Sequence, residues 1–274
     1  MKNSSISALC SLLCTVLLAA CSSPGPQFSS NPAISRHLED GSRHYHAGRL
    51  REAHAAFEAA VVVAERLDHS AALVDAWMAK AATELVQEND AGARASYTKA
   101  QHEAQWASLQ PRVWQALIAL ADLDRRQGLP TKARASLVQL RPALAVGSAD
   151  LFKLDQSLAL CAVANKDLAE SMALLQPWMA RIADLPLDMR AVLLANMAGV
   201  QLEQGQTHAA LALAQDALAL DRQLEHPPAI AADHLLLARV WQRIGQEAQA
   251  QTHQGKARRI RVAIGLSEMP AVAP

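Results

Sequence analysis

Residues 41–60 read GSRHYHAGRLREAHAAFEAA. Two short amphipathic segments meet at a tight turn at Gly48, with Gly41, Ala53, Phe57 and Ala60 at fixed offsets around it. A helical pair of this kind cannot bury its own apolar face, so it needs neighbours of the same design. The chain supplies them. With the alanine after each turn as a ruler, Ala53, Ala93, Ala133, Ala169, Ala210 and Ala250 recur at intervals of 40, 40, 36, 41 and 40 residues. A glycine stands five residues earlier in four copies, at Gly48, Gly128, Gly205 and Gly245. In the other two, Glu88-Asn89-Asp90 and Asn165-Lys166-Asp167 suit a helix end followed by a new N-cap. Four residues after the ruler stand Phe57, Tyr97, Leu137, Ala173, Ala214 and Gln254, and seven after it Ala60, Ala100, Leu140, Gln176, Ala217 and Ala257. Small residues let the second helix approach the first, and the larger residue one turn on fills the space beside the crossing.

The breakers set the helix limits. Six pairs are expected, at 34–47 and 50–67, 71–87 and 90–108, 111–127 and 130–144, 148–163 and 166–183, 187–204 and 207–224, and 227–244 and 247–263. Pro111, Pro130 and Pro227 fall in first turns, where proline is tolerated. Pro177 falls inside a helix and should kink or break it. The fourth unit is thus irregular in period, turn and proline, and a change of curvature is expected there. Composition agrees with an all-α chain: half the residues are hydrophobic, only 4% are aromatic, and the apolar content is mostly Ala and Leu. The formal net charge is zero, which gives no general pull toward nucleic acid.

The pattern resembles the tetratricopeptide repeat (TPR) family. Gly41, Gly48, Ala53, Phe57 and Ala60 match its signature spacing in the first copy, and Trp77, Ala93, Tyr97 and Ala100 do so in the second. The likeness covers residues 34–263, strongly in the first three copies and weakly in the fourth. The family unit has 34 residues, whereas this one has about 40, a period that also suits HEAT or armadillo repeats. The resemblance implies an all-α, right-handed superhelical solenoid of about six helix-turn-helix repeats. It also implies a scaffold for protein–protein contact rather than an enzyme.

Residues 1–20 read as a targeting segment. Lys2 precedes an apolar run from Ile6 to Ala20 that is short for a membrane span. The run ends in Leu18-Ala19-Ala20-Cys21, which resembles the lipobox of bacterial lipoprotein signal peptides, in which the cysteine is lipidated. Several buried acyl chains, at roughly 0.8 kcal/mol per CH2, make a stable anchor. Ser22 after the cysteine resembles outer-membrane sorting, so a lipid-anchored protein facing the periplasm is expected, with the inner membrane as the alternative. Residues 21–33 (CSSPGPQFSSNPA) form a lipidated cysteine and flexible tether. Residues 264–274 read as a frayed tail. Cleavage would remove Cys10 and Cys14, leaving Cys161 as the one thiol of the folded part, a small core residue by its Ala/Leu surroundings.

No nucleotide loop, serine elbow or paired-cysteine metal motif is present, so no catalytic residue, metal or cofactor is assigned. His37, His44 and His46 read as solvated surface, and His226 as turn chemistry. The basic run Lys256, Arg258, Arg259 and Arg261 complements the dipole of the last helix. In TPR proteins the first helices of successive pairs line a concave groove. The resemblance places Ser42, Tyr45 and His46 there, then Ala82, Leu85 and Val86, and then Asp122, Arg125 and Arg126. The later copies contribute Leu158, Cys161 and Ala162; Gly199, Leu202 and Glu203; and Arg239, Gln242 and Arg243. This groove lacks the Lys/Asn set with which TPR chaperone adaptors hold a terminal carboxylate. The expected partners are a protein or peptide of the envelope and a membrane reached through lipid, with no nucleic acid. A small-ligand receptor and an accessory subunit of a cell-wall enzyme are the alternatives.

Overall fold

The computed structural model describes residues 31–267. The signal segment, Cys21 and most of the tether fall outside them. Twelve α-helices and no strand occur among the described residues. They are α1 (Pro32–His46), α2 (Leu50–Arg66), α3 (Ser70–Val86), α4 (Asp90–Trp106), α5 (Gln110–Arg126) and α6 (Pro130–Leu140), followed by α7 (Ala149–Ala164), α8 (Leu168–Met179), α9 (Leu187–Glu203), α10 (Thr207–Gln223), α11 (Pro227–Ile244) and α12 (Glu247–Ala263). They pack in sequence as six antiparallel pairs, each pair resting on the next. First helices of successive units also meet, α1 on α3, α5 on α7, α7 on α9 and α9 on α11; second helices do not meet to a comparable extent. The first helices therefore line the inner side of the curve.

One turn chemistry joins every pair. A residue in the left-handed region follows the first helix in all six units: Gly48, Glu88, Gly128, Lys166, Gly205 and Gly245. The N–H after it donates to a carbonyl five residues back, as in Arg49 to His44, Leu129 to Asp124 and Gln246 to Trp241. This closes the helix end that would otherwise leave carbonyls unpaired. Where glycine is absent, the next residue caps the new helix. Asn89 Oδ1 accepts from Gly92 N at 3.0 Å, and Asp167 Oδ1 from Glu170 N at 2.9 Å.

The small residues pack as expected in five units. Ala53, Ala93, Ala133, Ala210 and Ala250 are fully buried, as are Ala60, Ala100, Ala217 and Ala257. Gly41 lies under the Phe57 ring, and a Cβ there would stand 2.5 Å from Cε1 of that ring. In the fourth unit the ruler is wrong by two residues. Ala169 and Ala173 are exposed, and Ser171, Leu175 and Trp178 are buried in the corresponding places. The capping residue sets the register: each buried small residue stands four after the N-cap, and Asp167 puts that position at Ser171. Gln176, expected at the second small position, is exposed, and an indole fills that place instead.

The irregularity of the fourth unit is a shortening. Its second helix, α8, has 12 residues, and α6 before it has 11, against 17 in α2, α4, α10 and α12. Pro142 follows the end of α6 and Pro177 lies in the last turn of α8; each removes an N–H, and a 3-10 turn follows each helix, at Arg141–Ala143 and Ile182–Asp184. Residues 264–267, the described part of the expected tail, continue the junction pattern of the earlier units. Ile264 is buried, Gly265 is left-handed, and Leu266 N donates to Arg261 O, the bond that closes the junctions between earlier units.

Candidate partner-binding groove

Many charges and polar groups on the inner helices are paired, several of them with a neighbouring unit. Arg112 of α5 grips both carboxylate oxygens of Asp75 of α3 at 2.7 Å. Gln115 of α5 donates to Asp150 of α7 at 3.0 Å, Asn196 of α9 to Gln156 of α7 at 2.7 Å, and Arg239 of α11 to Glu203 of α9 at 2.9 Å. Arg126 reaches Asp90 at 3.4 Å. A second set ties the outer helices to their neighbours: Arg94 of α4 to Asp124 of α5 at 2.6 Å, with Lys132 of α6 on its other oxygen at 3.0 Å, and Arg134 of α6 to Glu170 of α8 at 2.6 Å. The two cations hold the Asp124 carboxyl below its ordinary value despite the opposing effect of burial, the largest single influence on it. Partners 30 to 40 residues apart in sequence are one repeat apart in space, so these pairs fix the angle between units.

The expected groove residues take several different settings. Asp122 and Arg125 pair with each other along α5 at 2.9 Å, and Arg126, Glu203 and Arg239 belong to the inter-unit ladder. Gln242 and Arg243 are exposed at the end of α11. Leu202 does not line a groove. It is buried with Ala210 and Val240 where α9, α10 and α11 meet, as Leu158, Cys161 and Ala162 are buried in the fourth unit. Burial pushes the Cys161 thiol up to about 11, as befits a core thiol.

Tyr45 and His46 sit at a seam that links the first unit to the last. Their rings lie 5.7 and 5.6 Å from the His226 ring, at the start of α11. Gly48 faces Ile264 so closely that a Cβ there would stand 2.6 Å from Cγ2 of Ile264. Arg261 of α12 donates to Glu88 Oε1 at 2.8 Å, and the Ser267 hydroxyl donates to Glu88 Oε2 at 3.3 Å. The seam buries the Tyr45 hydroxyl and raises its pKa; burial, then the nearby His46, lowers that of His226. His44, expected to be solvated, has its Nδ1 buried without a partner among the described residues. Sequence reading missed the seam: Arg261 looked like dipole compensation and His226 like a turn residue. The one signal for it was Ile264-Gly265-Leu266, which continues the junction pattern past the last helix.

The seam makes a prediction. Glu88→Arg should place two cations together and part the ends, raising the radius of gyration by X-ray scattering while helicity is unchanged. Since the pair is partly exposed, stability should change by about 1 kcal/mol or less. Adding Arg261→Glu should restore the compact form; equal scattering profiles for the three proteins would show that the pair does not hold the ends.

No protein-family model matches the chain, and no curated protein does. Solved structures do match. BtubC from P. vanneervenii is similar over 89% of this chain and 97% of its own, with 18% identity and a TM-score of 0.51. PilW, described as a widely conserved type IV pilus biogenesis factor, is similar over 87% of this chain and 97% of its own, with 16% identity and a TM-score of 0.52. At such identities the likeness shows the fold, and with the six uniform turns it makes the chain an all-helical solenoid of TPR-like repeats.

Proposed function

We propose that the protein is a lipid-anchored scaffold of the bacterial envelope that holds a protein partner during assembly or secretion. The observation that carries this reading is the solenoid itself, shared nearly end to end with PilW. Units tied to their neighbours by ion pairs and hydrogen bonds present a preformed inner wall, and a preformed surface loses little entropy on binding. Cys21, the last residue of the lipobox-like tetrad, attaches it to the membrane, and the stretch from Cys21 to the start of α1 at Pro32 lets the solenoid stand off by roughly 35 Å at full extension.

The experiment has two arms. Cys21→Ser should move the protein from the membrane to the soluble fraction, with Cys161→Ser as the control that stays in place. A Cys21→Ser variant that still sediments with membranes overturns the anchor. A photo-crosslinker at Gln242, exposed at the end of α11, should capture one protein species in intact cells. Labelling of no protein there, alongside a thermal shift with a small metabolite, would favour the receptor alternative.

A further inference from the structure

Trp106 ends α4 with its side chain in water, 75% exposed. The equivalent last residues of the other full-length second helices are Arg66, Gln223 and Ala263, so packing in this fold does not require an aromatic there. The indole borders a cleft of about 270 Å³ at the junction of α2, α3 and α4, lined also by Ala64, Leu73, Glu65, Asp68, His69 and Glu103. Leu67, half exposed, extends the apolar surface. Among the described residues Glu65, Asp68 and Glu103 make no ion pair, unlike the carboxylates of the inner ladder. One junction on, Gln105 and Ser108 stand where Glu65 and Asp68 do, so aromatic and acids coincide only here. The nearby basic side chains are Arg66, exposed at the helix end, and His69, whose Nδ1 accepts from Ala72 N in capping α3.

We infer that this cleft is a docking point for an arginine- or lysine-bearing segment of a protein partner. An indole face attracts a cation, and arginine stacks on it while its planar fork meets carboxylates. The chain uses the same contact internally, with Lys99 4.2 Å from the Trp77 ring centre and Arg181 5.1 Å from that of Trp178. Trp106 offers this face with no cation over it among the described residues. The cleft has room for one long side chain rather than a folded surface. This deepens the scaffold reading by giving the partner a chemistry, and it does not depend on the lipid anchor.

The test is titration of the purified full chain with acetyl-triarginine amide, read by the indole signals of fluorotryptophan-labelled protein, that of Trp106 being identified with Trp106→Phe. Triarginine should shift the Trp106 signal and leave that of Trp241 in place. Trp106→Ala should weaken binding roughly fivefold or more, as should the double change Glu65→Gln with Glu103→Gln, and added salt should weaken it further. All three positions are at the surface, so circular dichroism should be unchanged. Absence of binding, equal binding of acetyl-triglutamate amide, affinity unchanged in Trp106→Ala, or a Trp106 shift with phosphatidylcholine vesicles but not with the peptide would each overturn the inference. None of these outcomes bears on whether Cys21→Ser releases the protein, so the two readings fail separately.

Discussion

Replacing Trp178 with alanine is expected to lower the free energy of unfolding by about 4 kcal/mol, within the range for a buried large aromatic. The indole fills the place that a small alanine fills in other units, and it does so because α8 is short. It is nearly fully buried and meets the Phe152 ring edge-on, centroids 5.1 Å apart, with the Arg181 guanidinium 5.1 Å over its ring centre. Its Nε1 donates to Asp155 Oδ2 at 3.0 Å, and Arg141 donates to Oδ1 of the same carboxylate at 3.0 Å. Asp155 is itself buried, so these two donors satisfy its oxygens beside the largest core cluster among the described residues. Alanine would leave a cavity and also remove one donor. Trp178→Phe separates the two effects: most of the volume remains and the donor is lost, for an expected cost of about 1–3 kcal/mol. Urea unfolding followed by circular dichroism measures both. A loss below about 1 kcal/mol in Trp178→Ala would mean that α6 to α9 do not depend on this side chain.

The same unit shows where sequence reading reaches its limit. Turn chemistry and helix ends were legible because each rests on local residues: a left-handed glycine, a capping Asn or Asp, a proline in a first turn. The register inside α8 was not, because Ala169 and Ala173 offer a small-residue spacing as good as that of Ser171 and Leu175. Only the position of the cap decides between them. The groove was half legible. The i, i+3, i+4 trios identify one face of each first helix, but not that Glu203 meets Arg239 one repeat later or that Leu202 turns inward beneath α10 and α11. Those facts depend on the angle between units. The seam depends on the sum of five such angles, which no single repeat encodes, and so Glu88 and Arg261, 173 residues apart, could not be paired from the sequence.

The fifth and sixth units hold a second buried arrangement whose effect is a pH dependence. Asp221, near the end of α10, and Asp233 of α11 are both buried, and the two carboxyls are close enough to shift each other, with Asp233 Oδ2 left without a hydrogen-bond partner among the described residues. Two carboxylates close together out of water cannot both ionise easily, so one retains a proton. Burial, then the neighbouring Asp221 carboxyl, push Asp233 up to about 8, and Asp221 is also raised. In the unfolded chain Asp233 loses its proton near 4. Between about pH 4 and pH 8 the folded state therefore holds one proton more than the unfolded state, and stability falls as pH rises through that window. A histidine pair beside it acts in the opposite sense. His234 and His253 face each other at 3.0 Å between ring nitrogens, and burial, with the neighbouring imidazole second, lowers His234 to about 4. The depressed imidazole costs stability as pH falls below the unfolded histidine value of about 6.5 and has no effect above it. Asp233→Asn isolates the carboxylate, because an amide has the shape of the protonated acid while carrying no charge. Each pKa unit is worth about 1.4 kcal/mol, and relaxation around the pair reduces the full shift, so the variant should exceed the wild type by roughly 2–3 kcal/mol at about pH 9. Near pH 4 the two should be equal. Urea midpoints measured across that range give the difference curve directly. A difference that stays flat with pH would mean that Asp233 ionises normally and that the two carboxyls do not shift each other.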